Sequence, residues 1–329
     1  TRLSLTDLQP HLHSIDDKPT LTPYRTSYYT PNWGFCLPKV LADSLEPDEY
    51  EVHVDTKIAP GSLSIGESIL WSEDAKEEIL FSIHCCHPQL ANDNLSAIAI
   101  ATALHEWIRQ KDRRYTYRFL FLPGTIGSIA YLAEHPRIAK RNRAGLVLSC
   151  LGDSGPIHFK QPRTERGLTN IVLEAARDVG IDVQLRPFEP YGYDERQYSS
   201  PAFDMQMGNL TRTPNGKYPE YHTSADDLSF IKEDAMRESL ALLQAIVERI
   251  ERDGLKSLPV DRSSKHGALI NKNPHCEPML GKRGIYKGLA GGQKMPALDF
   301  ALLWVLNLSD GTNLTEDIVA RSKLDRSVI

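Results

Sequence analysis

Two histidines, two cysteines and one aspartate stand together in Ser82-Ile83-His84-Cys85-Cys86-His87-Pro88-Gln89-Leu90-Ala91-Asn92-Asp93-Asn94-Leu95-Ser96. Imidazole nitrogen, thiolate sulphur and carboxylate oxygen are the donors that hold zinc. A hydrolytic zinc site needs about three of them plus an open position for water. A carboxylate can also bridge two ions that share one attacking water. The same donor types recur at Asp153 and in a long polar stretch at His222. The candidate ligands are therefore His84 or His87, Asp93, Asp153 and His222. His135, His158 and His266 have no such company and read as ordinary surface or core groups. Cys85 and Cys86 read as small buried hydrophobes rather than ligands.

These donors need a scaffold, and the flanking sequence describes one. The apolar run Ile79 to Ile83 leads into the cluster as a buried strand, and the apolar periodicity of Ile98 to Trp107 leaves it as a helix. Further strands are predicted at Tyr115–Leu122, Ala144–Cys150 and Val183–Phe188. Helices are predicted at Ile129–Ala133, Thr169–Val179 (ended by Gly180) and Ile231–Arg252 (ended by Gly254). Strands alternating with helices predict a three-layer α/β domain, and open sheets of that kind present ligands at the carboxyl ends of their strands. Around this core the expected divisions are an N-terminal helix in 1–20, a β-rich subdomain in 21–73, the metal-binding domain in 74–255, a linker in 256–296 and a helix–turn–helix in 297–329. Period-two alternation with Gly and Pro breaks supports the second of these. Residues 190–227 show little periodicity, and loops of such length in compact domains usually carry function.

Composition narrows the class. The net charge of −5 over 329 residues shows no basic footprint and argues against nucleic acid as partner. In the C-terminal segment Arg321, Lys323 and Arg326 are offset by Glu316, Asp317 and Asp325. No apolar run reaches the ~18 residues of a membrane span, and no signal peptide is visible. Five scattered cysteines do not form a disulfide framework, so a reducing cytoplasm is the expected compartment. The sequence leaves oligomeric state open.

The long stretch also holds Asp194-Glu195-Arg196-Gln197. Arg196 suits a substrate carboxylate and its acidic neighbours a free amine, the two ends of an amino acid. Tyr221, beside His222, suits substrate orientation or an oxyanion. Asp226 stands four residues after His222 and suits the second imidazole nitrogen.

Taken together, several motifs make the chain resemble the aminopeptidase-like proteins that carry a β-rich insert and a C-terminal winged helix, relatives of the co-catalytic zinc aminopeptidases. They are Thr26-Ser27-Tyr28-Tyr29 with Asn32-Trp33-Gly34-Phe35-Cys36, Cys86-His87-Pro88 with Ala91-Asn92-Asp93-Asn94-Leu95-Ser96, Thr125-Ile126-Gly127-Ser128, Asp194-Glu195-Arg196-Gln197, Tyr218-Pro219-Glu220-Tyr221-His222-Thr223, Cys276-Glu277-Pro278 and Leu302-Leu303-Trp304. The resemblance spans nearly the whole chain. It implies a mixed sheet, His87, Asp93 and His222 as ligands of one or two zinc ions, and cleavage of an amide in a small peptide or aminoacyl compound. His84-Cys85-Cys86 is the alternative match to the first ligand pair of those enzymes. One departure matters: the family's Pro-Glu-Thr-Ile-Gly-Ser stands here as Pro123-Gly124-Thr125-Ile126-Gly127-Ser128. Glycine supplies neither ligand nor base. Either fewer ions bind, or Glu195 or Asp194 serves as base, or turnover is lost. Family members are also longer at both ends, which implies that this chain is a fragment whose winged helix stops before its wing.

Overall fold

The computed structural model describes residues 1–27, 31–255, 258–285 and 297–329. Tyr28 and Tyr29 of the aromatic motif, and residues 286–296 of the expected linker, lie outside the described residues.

A seven-stranded mixed sheet forms the centre, in the order Val183–Arg186, Ile157–Lys160, Met207–Thr211, Asn142–Leu148, Glu78–His84, Thr116–Leu122, Gly66–Leu70. Its middle is parallel: Glu78–His84 runs alongside both Thr116–Leu122 and Asn142–Leu148, and Met207–Thr211 alongside the latter. The edge strand Gly66–Leu70 is antiparallel to its neighbour, and Ile157–Lys160 is antiparallel to Met207–Thr211. Gly66–Leu70 was expected in a separate β-rich subdomain, and its Ile69 and Leu70 face the main sheet's partners instead.

Side chains alternate between the two faces, as the pleat requires. Ile79, Phe81, Ile83, Tyr117 and Phe119 pack under the helices Ala97–Arg109, Leu168–Val179 and Glu233–Asp253. Leu80, Leu120, Leu122 and Val147 pack on the other side against Tyr131 and Leu132 of the helix Ile126–Glu134, with Tyr198 and Met205. Each such side chain contributes about 1.5–3 kcal/mol by leaving water, so both faces hold the sheet and three layers result.

Two strands of the central sheet escaped the sequence reading. Met207–Thr211 is fully buried yet carries Gly208, Asn209 and Thr211, which read as turn residues. The glycine is a packing requirement, because a Cβ there would lie 2.3 Å from the Phe159 ring. Ile157–Lys160 is short and holds a histidine and a lysine.

At the N-terminal end, Ser4 caps the short helix Leu5–Leu8 by accepting the Asp7 N–H at 3.2 Å. Arg2–Ser4 then pairs with Glu49–Glu51, and Leu12–His13 with Phe35–Cys36. The division expected at residue 20 thus separates the partners of two strand pairs. At the other end the helices Ala297–Leu308 and Thr315–Ser322 form a hairpin turned at Gly311, whose φ is 86°. Trp304, Leu308 and Ile318 cover Phe188 of the central domain. Arg163 fixes the turn through Asp310 (2.6 Å) and the Asn307 carbonyl (3.2 Å). Part of the expected linker is ordered structure: Ile270 bridges to Asp310, and Cys276 enters the second core cluster.

Candidate metal centre

The loops after Glu78–His84 and Asn142–Leu148 meet at the carboxyl end of the sheet. His84 is the last residue of its strand. The chain then turns through Ala91–Ser96, an irregular wide helical turn, into the helix Ala97–Arg109. The Asp93–Asn94 peptide bond is cis. This turn is held from outside: Asp226 accepts the backbone N–H of Asn92 at 2.6 Å and that of Asp93 at 3.1 Å. Asn94 is equally fixed, its Oδ1 accepting the Cys150 N–H at 3.0 Å and its Nδ2 donating to the Leu148 carbonyl at 3.1 Å.

Within this frame His87, Asp93 and His222 converge, with one ligand atom of each within 4.8 Å of the others. His222 Nε2 is 3.0 Å from Asp93 Oδ2, and His87 Nε2 is 3.8 Å from the same oxygen. His222 reaches the group from a left-handed backbone position, φ 54°, uncommon for a residue with a side chain. The N-terminal segment straps it there. Tyr24 N–H donates to the His222 carbonyl at 2.8 Å, Ser224 N–H to the Thr22 carbonyl at 2.9 Å, and Pro23 bridges to Thr223. The Tyr24 ring stands edge-on to both imidazoles, at 4.5 Å from His87 and 5.2 Å from His222. Tyr24 thus walls the two imidazoles from the N-terminal segment.

Electrostatics agree with a cation site. Burial alone raises the Asp93 carboxyl, yet its hydrogen bonds to His222 and His84 outweigh that and hold it far below the usual carboxylate range. Burial lowers His87 to about 4, against the pull of Asp93, so its ring nitrogen is free of a competing proton at neutral pH.

The structure assigns the other expected site residues to different tasks. His84 is fully buried, with Nε2 2.7 Å from Asp93 Oδ1 and Nδ1 3.2 Å from the Asn94 amide nitrogen. That amide nitrogen only donates, so the network assigns the ring hydrogen to Nε2, where it donates to Asp93. His84 thus supports Asp93 rather than joining the converging group. Asp153 lies outside it as well. Its Oδ2 accepts from Asn92 Nδ2 (3.0 Å) and Thr213 N–H (3.2 Å), and its Oδ1 from Thr213 Oγ1 (2.6 Å) and Gly155 N–H (2.7 Å), so it braces loops.

Asp194 starts the helix Ile126–Glu134, its Oδ1 accepting the Thr125 N–H and the Ser128 hydroxyl, both at 2.7 Å. Burial raises its carboxyl. Glu195 is buried in an ion pair with Lys160 and is not a free base. Arg196 is turned away from any substrate carboxylate by Glu277, at 2.8 Å, and by the Gly192 carbonyl at 2.9 Å. Asp226 serves the Asp93 loop and does not meet the second nitrogen of His222. That Nδ1 is buried without a hydrogen-bond partner among the described residues. Cys85 is exposed, contrary to expectation, and Cys86 Sγ accepts the Gly124 N–H at 2.9 Å.

Tyr221 does stand at the centre, its ring stacked on His222 at 3.9 Å. Sequence reading missed its partner, Tyr193. The Tyr193 hydroxyl lies 3.1 and 3.2 Å from the two Asp93 oxygens and 3.3 Å from the Tyr221 hydroxyl. Its position next to Asp194 was the available signal. Burial, with Asp93 next, raises both phenols well above their ordinary range, so they act as donors.

Residues 9–253 match the profile of a domain of unknown function, DUF4910, and residues 268–329 that of a winged helix-turn-helix. Over 98% of its length the chain is 39% identical to a "putative polysaccharide biosynthesis protein with aminopeptidase-like domain" from Clostridium acetobutylicum, covering 71% of that protein. The chain belongs to this DUF4910 family of aminopeptidase-like proteins. A crystal structure of a putative peptidase from C. acetobutylicum superposes on 99% of this family member and 71% of that chain, at 36% identity and a TM-score of 0.74. More distantly, a zinc aminopeptidase from Bacillus subtilis matches 58% of the chain and 50% of its own, at 18% identity and a TM-score of 0.50, which speaks to the fold alone. The fold is thus the mixed α/β sheet of the aminopeptidases with a C-terminal winged helix. No helix among the described residues is long and apolar enough to cross a membrane.

Proposed function

We propose that this family member is a zinc-dependent amide hydrolase that acts on a small peptide or an N-aminoacyl or N-acyl compound. The observation that carries the reading is the convergence of His87, Asp93 and His222 at the carboxyl end of the sheet. The donor set fits zinc, being two imidazoles and a carboxylate. Bound there, zinc would supply a Lewis acid and activate water at neutral pH.

The chain's own groups supply the rest. Tyr24 walls the two imidazoles, and the Tyr193 and Tyr221 hydroxyls stay protonated and offer donors to a substrate oxygen. The missing element is a carboxylate base. Gly124 has no side chain, Glu195 is paired with Lys160 through Oε1, and Asp194 is engaged at a helix start through Oδ1, while the second oxygen of each is buried without a hydrogen-bond partner among the described residues. A positioned base is worth about 10²–10⁴ in rate, so turnover is expected to be slow by that factor. The relative's description as a polysaccharide biosynthesis protein adds N-acyl amino sugars to the substrate classes. A cytoplasmic setting belongs to the proposal and is supported by five cysteines without a disulfide.

The same committed carboxylates favour a second reading, a ligand-binding module on a peptidase fold. Zinc-loaded chain assayed against aminoacyl anilides, dipeptides and N-acyl amino sugars separates the two. Zinc-dependent release that disappears in His222→Ala supports the hydrolase. Tight zinc binding with no release from any panel member supports the binding module. A chain that binds no zinc refutes the hydrolase.

A further inference from the structure

We infer that this centre takes one metal ion and not two, because Tyr193 and His84 occupy the half of the Asp93 carboxylate that a second ion would need. The inference rests on the metal-binding reading above and specifies the site's stoichiometry.

A carboxylate that bridges two ions gives one oxygen to each. Asp93 Oδ2 faces His222 at 3.0 Å and His87 at 3.8 Å, which is the half suited to an ion. Oδ1 faces something different. His84 Nε2 lies 2.7 Å away with its hydrogen directed at the oxygen, and the Tyr193 hydroxyl lies 3.1 Å away. His84 Nε2 carries its hydrogen there and has no lone pair for a cation, and the Tyr193 hydroxyl, which also stands 3.2 Å from Oδ2, directs its hydrogen at the carboxylate. The two rings are also stacked on one another, with centroids 3.8 Å apart and an interplanar angle of 18°. They fill the volume beside Oδ1 as one packed unit.

Gly124 completes the case. A Cβ built on it would lie 3.2 Å from Tyr193 Cδ1, 3.4 Å from His84 Cβ and 3.1 Å from Cys86 Sγ. The Tyr193 ring therefore stands where a side chain at position 124 would emerge, and the two residues are a matched pair, an absent side chain and a large one. Other donors nearby do not gather with Asp93 into a second set, although Asp194 Oδ2 and Glu195 Oε2 are buried without a hydrogen-bond partner among the described residues. Asp153 braces Asn92 and Thr213, and Glu195 is paired with Lys160. Cys86 Sγ receives the Gly124 N–H, and Asp194 is anchored by Oδ1 at a helix start. Among the described residues only the His87–Asp93–His222 group gathers three donors. A second ion would have Oδ1 alone, where zinc takes about three protein ligands.

The test is a metal titration of the full chain after chelator stripping, with zinc measured against a competing chromophoric chelator and cobalt(II) followed by its visible absorption. Saturation at about one equivalent is expected for a single three-ligand site. Saturation at two equivalents overturns the inference while leaving the metal reading intact. Absence of binding overturns the metal reading and this inference with it. His84→Gln, which keeps an N–H for Asp93, sharpens the assignment. It should still bind one equivalent, with affinity lowered about 10–100-fold as for other residues that support a ligand. If that variant keeps its wild-type circular dichroism and binds no zinc, as expected for His222→Ala, His84 is a ligand and the assignment is wrong.

Discussion

Asp226 tests how the centre is built, because it touches no substrate and holds the Asp93 turn from outside. Its carboxylate accepts the backbone N–H groups of Asn92 at 2.6 Å and Asp93 at 3.1 Å, and it is 1% exposed. Asp226→Asn keeps the shape but offers one carbonyl oxygen where two oxygens were used. One backbone N–H then faces an amide NH₂, donor against donor. Two hydrogen bonds to a charged group are worth about 1.5–3 kcal/mol each, an upper bound of about 6 kcal/mol for losing both. Two facts lower that figure. One of the bonds survives, and burial raises the Asp226 carboxyl despite the two N–H groups, so the charge itself is costly to bury. A loss of about 2–3 kcal/mol remains, which for a chain of 329 residues lowers Tm by on the order of 3–5 °C. Because Asp93 is displaced with its turn, zinc affinity should fall about 10–100-fold. Thermal unfolding of the zinc-free variant and a zinc titration read the two effects separately. If Tm moves by less than about 1 °C and zinc affinity is unchanged, Asp226 does not organise the turn and the reasoning fails.

Other consequences can be checked in the same way. Gly124→Glu should destabilise the chain by about 1–3 kcal/mol through overpacking against Tyr193 and Cys86. Adding Tyr193→Ser should recover most of that, and additive effects in the double variant would refute the matched pair. Arg196→Ala takes from Glu277 its charged partner and leaves it the Gln197 side-chain amide at 3.2 Å, at a largely buried contact between the central domain and the C-terminal part. It should cost up to about 3–5 kcal/mol and raise protease cleavage within residues 256–296, read by limited proteolysis. Asp310 has a carboxyl held low by Thr312 and Arg163 against the opposing effect of burial. Its folded pKa is below its unfolded one, so the stability it adds is present above about pH 4 and lost as pH falls through the depressed value. The Tm gap between wild type and Asp310→Asn should narrow on acidification, and a gap that widens would contradict the sign.

The sequence carried most of the scaffold because its core strands are continuous apolar runs and its helices are strongly periodic. Ile79 to Ile83 and Phe119 to Leu122 admit few alternatives once both faces are covered. Met207–Thr211 was illegible for the opposite reason: its glycine and asparagine answer to Phe159 and Ser149 across the sheet, contacts that no local pattern reveals. At the centre, residue type was informative and partnership was not. His87, Asp93 and His222 are gathered, whereas Asp153, Glu195 and Arg196 have the same chemistry on paper and are taken up by Thr213, Lys160 and Glu277. Tyr193 was passed over because a phenol announces no metal chemistry. Its importance comes from what it lies against, Asp93 on one side and the bare backbone of Gly124 on the other.

The strap between Thr22–Tyr24 and the His222 loop has a consequence for when the site exists at all. It joins positions 202 residues apart, Thr22 N–H donating to the Ser224 hydroxyl at 3.1 Å. Closing a loop of that length costs about 5 kcal/mol of chain entropy, whereas His87 and Asp93 are neighbours on one turn. Asp93, whose turn is held by Asp226, and His222 therefore take their places together, when that loop closes. An ion that needs all three adds its binding energy to the closed state alone. Zinc would thus act as a clasp on the 129-residue segment between Asp93 and His222, slowing its reopening more than it speeds its formation.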